Sequence, residues 1–303
     1  MDKLAKLVTD IGRLWENYSS AYFTGIQNTL ILAVAATLAG CLIGLVCGVL
    51  NTIPYTQNDH PVKRFFLKLL RVVIRIYVEV FRGTPMVLQA VFIFYGLPYF
   101  TDGAVAFKGM AGIWAAALIV VSINTGAYMA ESVRGGIISI DPGQTEGAKA
   151  IGMTHVQTMV NVIMPQALRN IIPQIGNNFI INIKDTSVMF IIGFMEFFAV
   201  HRTIVGNNFL YFPSAVIEMV GYLTLTLLAS FGLRAIEKRL DGDSNYQLAH
   251  DDQLTMAAGT YSHPDRSSPF DEQSKEFTAK ERKRERRERK LQELRYGRPK
   301  GDR

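Results

Sequence analysis

Residues 23–50 contain no Asp, Glu, Lys, Arg or His, and this one run limits what the chain can become more than any other feature. At ~1.5 Å per residue a helix of that length crosses a hydrocarbon core of ~30 Å, where only helices and closed barrels satisfy the backbone. A soluble domain with 49% apolar residues and a mean hydropathy of +0.16 would scatter its apolar side chains, but here they fall in blocks. The fold class expected is an all-α, polytopic membrane helix bundle. Cys41 and Cys47 both sit inside the first block and read as small packing hydrophobes, offering neither a disulfide framework nor a metal site.

Ahead of that block, residues 1–22 mix Lys3, Lys6 and Arg13 with Asp2, Asp10 and Glu16 and read as a short interfacial segment. No short apolar region with a small-residue cleavage site follows, so the first span is expected to be retained. Further apolar blocks at 64–100, 110–133, 171–194 and 213–236 bring the expectation to five crossings within a transmembrane domain at 23–240.

The second block is unusual. Arg64, Lys68, Arg71, Arg75, Glu79 and Arg82 recur at helical spacing opposite Phe65, Phe66, Leu69, Leu70, Val73 and Ile76. The stripe suits a helix lying at, or rising from, the cytoplasmic surface better than a charged wall of a pore. Gly83-Thr84-Pro85 then interrupts the helix, because proline lacks a donor and restricts the residue before it. Such a break within a membrane needs water or protein to satisfy its backbone, so it should face a cavity or a subunit contact.

In the third block Asn124, Tyr128 and Glu131 stand four and three apart and share a face turned to the bundle interior. Glu131 either pairs with Arg134 or takes part in gating. The fourth carries Gln174, Asn177, Asn178, Asn182, Lys184, Asp185, Thr186 and Ser187, which either line a path or form a polar packing network. Lys184 and Asp185 lie ~100° apart around a helix, so each should seek a partner elsewhere. Surface exposure is the expectation for Glu218, and His201 has no second ligand at metal spacing. Residues 241–303 split into an acidic half with net charge −6 at 241–279 and a basic half with +7 at 280–303. That composition predicts a disordered tail.

Between the third and fourth blocks runs a polar segment, 141–165. Asp141 can cap a helix, Pro142 suits its first position, and Gln144 falls three residues after the cap. Gly152 breaks that helix, and Thr154 with Gln157 repeats the capping pattern at once. Two short helices meeting at an exposed elbow should result.

The order Glu146-Gly147-Ala148, Gly152, then Val162-Ile163-Met164-Pro165 resembles the EAA loop of permease subunits of ATP-binding-cassette importers, with Gly147, Val162 and Met164 in place of the family's Ala, Ile and Leu. Two further stretches are similar to the histidine/glutamine/glutamate-type permeases of polar amino-acid importers. One is Glu79-Val80-Phe81-Arg82-Gly83-Thr84-Pro85 with Gln89 and Tyr95-Gly96-Leu97-Pro98; the other is Pro165-Gln166-Ala167-Leu168-Arg169 with Gly176-Asn177 and Lys184-Asp185-Thr186-Ser187. The resemblance covers about residues 20–240.

The resemblance implies that Glu146, Gly147, Ala148, Gly152, Met153 and Thr154 belong to a coupling helix that docks on an ATPase subunit. It implies a substrate path touching Lys184, Asp185, Thr186 and Ser187, then Asn124, Tyr128 and Thr84, with Arg82, Gly83, Pro85 and Glu131 at the break or gate. Partners implied are two ATPase subunits, a second permease subunit, identical or homologous, an extracytoplasmic solute-binding protein and membrane lipid. No Gly-x-x-x-x-Gly-Lys-Ser/Thr loop occurs in the sequence, so ATP and Mg are expected on the partner, with no cofactor and no enzymatic activity here. Basic runs without interleaved aromatics do not point to nucleic acid.

Lys63, Arg64, Lys149, Arg169, Lys238 and Arg239 fall on one side of a five-span topology, against chiefly Lys108 and Arg202 on the other. The coupling loop and tail are therefore expected in the cytoplasm of a cell-membrane protein. The function implied is ATP-driven import of a polar amino acid, glutamate/glutamine-like or basic. The rival, an ATP-independent carrier or channel, would be expected to carry an inverted repeat, which this sequence does not display.

Overall fold

A computed structural model describes residues 2–54 and 59–241, and every regular element among them is helical. Most of the tail at 241–303 lies outside the described residues.

Helix α1, Asp2–Thr52, is a single 51-residue rod. It corrects the boundary drawn at residue 22, because neither proline nor a positive-φ glycine interrupts it and its first half has something to pack on. Leu14 and Tyr22 are buried against Phe197, Val200 and Ile204. Helix α2, Pro61–Gly83, is followed at the Thr84-Pro85 step by α3, Met86–Val91, which runs through a wider turn, Phe92–Gly96, into α4, Leu97–Phe100. The two arms differ by 112° in direction, so 64–100 is a sharp turn rather than one rod with a kink.

Helix α5, Gly109–Ile138, occupies the centre, buried along most of its length between α1, α2, α3 and α8. The elbow follows as α6, Pro142–Ala150, and α7, His155–Thr158, and a wide turn over Met159–Ile163 leads into α8, Met164–Asp185. The chain then tightens into a 3₁₀ segment, Thr186–Ile192, before α9, Phe197–Asn208, and α10, Tyr211–Asp241. Helices α1, α5 and α10 are each long and apolar enough to cross a membrane, and the two bent pairs, α2 with α3–α4 and 155–192 with α9, bring the count to five.

The α1–α5 seam explains how two long helices approach so closely. Gly40, Gly44 and Gly48 repeat every four residues along one face of α1 and receive Thr125, Met129 and Val133, which repeat every four along α5. A Cβ at position 40 would lie 2.6 Å from Thr125 Cβ, so glycine is what lets the backbones meet. Around this seam an outer cluster joins Leu32 and Ala36 to Ala117, Val121, Met189 and Phe194. A second, at the elbow end, joins Val49 to Met129, Ile137, Ile163 and Ile171.

Candidate functional site

The elbow forms as its local sequence dictates. Asp141 Oδ1 accepts the Gly143 N–H at 2.7 Å, and Pro142 occupies the first turn, where a missing donor costs nothing. Gln144, expected to reach back to the cap, instead accepts from Gln166 at 3.4 Å. At the far end Gly152 adopts φ +83°, the Met153 N–H returns to Ala148 O at 3.1 Å, and the Gly152 N–H to Lys149 O at 2.9 Å. This left-handed glycine cap terminates α6. Two residues on, Thr154 and Gln157 make both bonds of a reciprocal cap, at 3.3 and 2.9 Å, and start α7. Of the six elbow residues expected to grip a partner, Glu146, Gly147, Gly152 and Thr154 are exposed, Met153 is half-buried, and Ala148 points inward. Sequence reasoning passed over Ile151, 79% exposed, and Val156, 68% exposed, which flank the bend and give it an apolar outer surface.

The break after α2 is bolted to α5. In an uninterrupted helix the carbonyl of Phe81 would bond to the amide of residue 85, but Pro85 has no N–H. Gln89 Nε2 supplies the missing donor at 2.9 Å and Asn124 Nδ2 a second at 3.1 Å. Asn124 spends its other amide proton on Gln89 Oε1 at 3.0 Å, while Gln89 also reaches Thr84 O and Oγ1, each at 2.9 Å. The Thr84 hydroxyl donates to Val80 O at 2.7 Å. Beside this, the Arg82 guanidinium pairs with Glu131 and stands 5.3 Å from the centroid of the Tyr128 ring. The stripe Asn124, Tyr128, Glu131 is therefore the surface that receives Arg82 to Pro85. One expectation changes. Glu131 pairs with Arg82 rather than Arg134, since the turn brings α2 across that face. Asn124, expected on the substrate path, has both amide protons committed to the break.

The polar residues of α8 divide into two groups. Asn182 Nδ2 donates to Thr37 at 2.8 Å and its Oδ1 accepts from Thr125 at 3.0 Å, tying α8 to α1 and α5. Asn178 bonds Gln174 O at 2.9 Å. These are packing groups. Lys184 is exposed, and Asp185 and Ser187 are half-buried. Thr186 is fully buried and donates to Ile183 O at 3.0 Å.

A cavity of about 780 Å³ opens between α2, the end of α5 and the inner side of the elbow. Arg75 and Glu79 line it from α2, Glu131 and Arg134 from α5, and Glu146 and Lys149 from α6. Only Glu131 and Glu146 of the expected site residues line it, and none of residues 184–187 does.

At the opposite end of the bundle, Glu218 is 6% exposed, which overturns its expected surface position. Helix α9 folds back over it, placing His201 Nδ1 3.6 Å from its Oε2 and 2.8 Å from Ser214 Oγ, which also bonds Tyr22 at 2.9 Å. Glu218 Oε1 has no hydrogen-bond partner among the described residues. Glu196 nearby caps α9, accepting the Phe198 and Ala199 N–H groups at 2.9 and 2.7 Å and the Tyr222 hydroxyl at 2.8 Å.

Comparison with known proteins places this geometry. Residues 40–242 match the family described as "binding-protein-dependent transport system inner membrane component". The glutamine transport system permease protein GlnP of Escherichia coli (strain K12) is 36% identical over 217 residues, covering 71% of this chain and 91% of that protein. The L-cystine transport system permease protein TcyB of Bacillus subtilis (strain 168) is 31% identical over 232 residues, covering 75% and 91%. The crystal structure of an amino acid ABC transporter with histidines superposes with a TM-score of 0.63 at 32% identity, over 74% of this chain and 95% of that one. The MetNI methionine ABC transporter in an inward-facing conformation shares the fold, with a TM-score of 0.61 at 20% identity and coverage of 74% and 98%.

Proposed function

The chain belongs to the family of inner-membrane components of binding-protein-dependent transport systems, a multi-pass ABC-importer permease of the amino-acid type, and from that premise we propose that it carries a polar amino acid, driven by ATP that partner subunits hydrolyse. The elbow carries this reading. A rigid bend, capped on both sides and faced with Ile151 and Val156, is a shape that a separate protein can grip and move. The elbow lies in the cytoplasm, two ATPase subunits hold the elbows of a permease pair, and a solute-binding protein delivers the amino acid to the opposite face. ATP-driven approach of the ATPases draws the elbows together. The motion reaches the bundle through α5 and α8, which the elbow joins directly.

Glutamine is the first substrate to test, because GlnP is named for it. Lys184 and Asp185 are the groups that meet the carboxylate and ammonium of the amino acid, with Ser187 beside them. The Arg82–Glu131 pair at the rim of the cavity opens and closes its mouth.

The test is reconstitution with the ATPase and binding protein in liposomes, measuring ATP-dependent uptake of labelled glutamine together with ATPase stimulation. Proline cannot adopt φ +83°, so Gly152→Pro should abolish both signals while membrane insertion stays normal. Unaltered ATPase stimulation in that variant refutes the elbow's role. Lys184→Met, at equal abundance, should cut uptake, and normal uptake removes Lys184 from the path.

A further inference from the structure

Several of the charged side chains lining the cavity between α2, α5 and the elbow, of both signs, make no ion pair among the described residues. Arg82 and Glu131 form one rung between α2 and α5. One helical turn further toward the elbow, Glu79 on α2 and Arg134 on α5 both line the cavity, opposite in sign, yet neither makes a side-chain hydrogen bond or ion pair among the described residues. The same holds for Arg75, one turn below Glu79 on the same stripe, and for Glu146 and Lys149 on the floor. Arg71, by contrast, is anchored through Nη2 to Ile53 O at 2.6 Å. Ile74, Val78 and Ala130 pack the two helices together on the wall beside these charges.

We propose that this unmade rung is a binding station for the backbone of the transported amino acid on its way out of the bundle, with Glu79 receiving the α-ammonium and Arg134, assisted by Arg75, receiving the α-carboxylate. The inference rests on the amino-acid transport proposed above and adds to it a second, inner site, distinct from Lys184 and Asp185. A volume of about 780 Å³ holds a free amino acid with water to spare, within the ordinary range of small-molecule sites. A guanidinium matches a carboxylate with two parallel hydrogen bonds, and a carboxylate on the facing helix is the natural acceptor for an ammonium. Neither group inspects the side chain, so the station tolerates any amino acid that reaches it. The rung above it, Arg82–Glu131, blocks return when made.

The experiment uses the full chain in lipid nanodiscs with its ATPase. Ile138, 60% exposed and on the cavity wall, is replaced by Cys in a chain whose Cys41 and Cys47 are changed to Ala. The rate of maleimide labelling at position 138 is followed against glutamine concentration. Glutamine should slow labelling saturably, and Glu79→Gln or Arg134→Gln should each raise the concentration needed on the order of tenfold, the loss of one charge-assisted contact. N-acetylglutamine, which has no ammonium, should respond to Arg134→Gln but not to Glu79→Gln; 4-aminobutanamide, which has no carboxylate, should show the reverse. Equal labelling rates without ligand verify that the variants keep the cavity wall. Glutamine that fails to protect position 138, or protection indifferent to both substitutions, overturns the proposal. Because the station reads only the backbone, that result stands whichever amino acid the liposome assay finds to be carried, and ATP-dependent uptake tests the transport reading separately.

Discussion

Gly44→Ala should separate α1 from α5. A Cβ built at position 44 lies 2.7 Å from the carbonyl carbon of Met129 and 2.9 Å from the amide nitrogen of Ala130, short of ordinary contact at 3.4 Å by about 0.7 and 0.5 Å. The nearest neighbour is Met129 Cβ and the other two are backbone, atoms that no rotamer change moves, so the helices must part. Overpacking of this kind costs about 1–3 kcal/mol. Gly12 lies in the same helix with nothing within 4 Å of the added atom, and Gly12→Ala should therefore stabilise α1 by ~0.5–1 kcal/mol through helix propensity alone. Cys41 and Cys47 flank Gly44 by three residues on either side and are both half-buried, so a thiol-reactive dye reports the seam directly during thermal unfolding in detergent. At ~2–4 °C per kcal/mol, Gly44→Ala should lower the labelling midpoint by several degrees and Gly12→Ala should not. A Gly44→Ala midpoint equal to wild type, or a fall of the same size in both variants, would mean that the glycines are not what sets the helix separation.

Three further outcomes follow from the same structure. Asn182→Leu strips the Thr125 hydroxyl of its acceptor and should destabilise by about 1–3 kcal/mol, measured as a lower thermal midpoint, while Asn182→Asp should recover part of the loss by keeping that acceptor. Glu218→Gln keeps the shape of a buried side chain one of whose oxygens has no partner among the described residues, and should leave the protein at least as stable; Glu218→Lys, which brings a cation into the same site, should yield no monodisperse protein on size exclusion. Thr154→Ala removes the reciprocal cap, worth about 0.5–2 kcal/mol, and should speed hydrogen exchange in α7 without affecting α1 or α5.

The parts of the molecule that could be read from sequence are those whose causes are local. Caps at Asp141 and Thr154, a left-handed turn at Gly152 and a break before Pro85 each follow from two or three adjacent residues. The partners that complete the break come from further away: Asn124 is 35 residues from Gln89 and 43 from Phe81, and no pattern in either neighbourhood announces the bond. Glu218 reads as superficial because it falls in the first turns of its helix, and only the fold-back of α9 buries it. The balanced charges of residues 1–22 suggest a separate interfacial segment, yet nothing in them breaks a helix. One signal is present in the sequence and easily overlooked. Gly40, Gly44 and Gly48 at intervals of four in an apolar run mark a helix face built for close approach.

The leading part of α1 leans on partners that the ribosome makes much later. Tyr22 bonds Ser214 across 192 residues, the Phe197 N–H bonds Thr29 across 168, and Asn208 bonds Tyr18 across 190. While the intervening chain is being threaded into the bilayer, the leading rod waits without its lid. A nascent chain arrested before α9 would display Leu14 and Tyr22 uncovered. Quality control could therefore sort finished subunits from truncated ones by this bare stretch alone, before any companion subunit arrives.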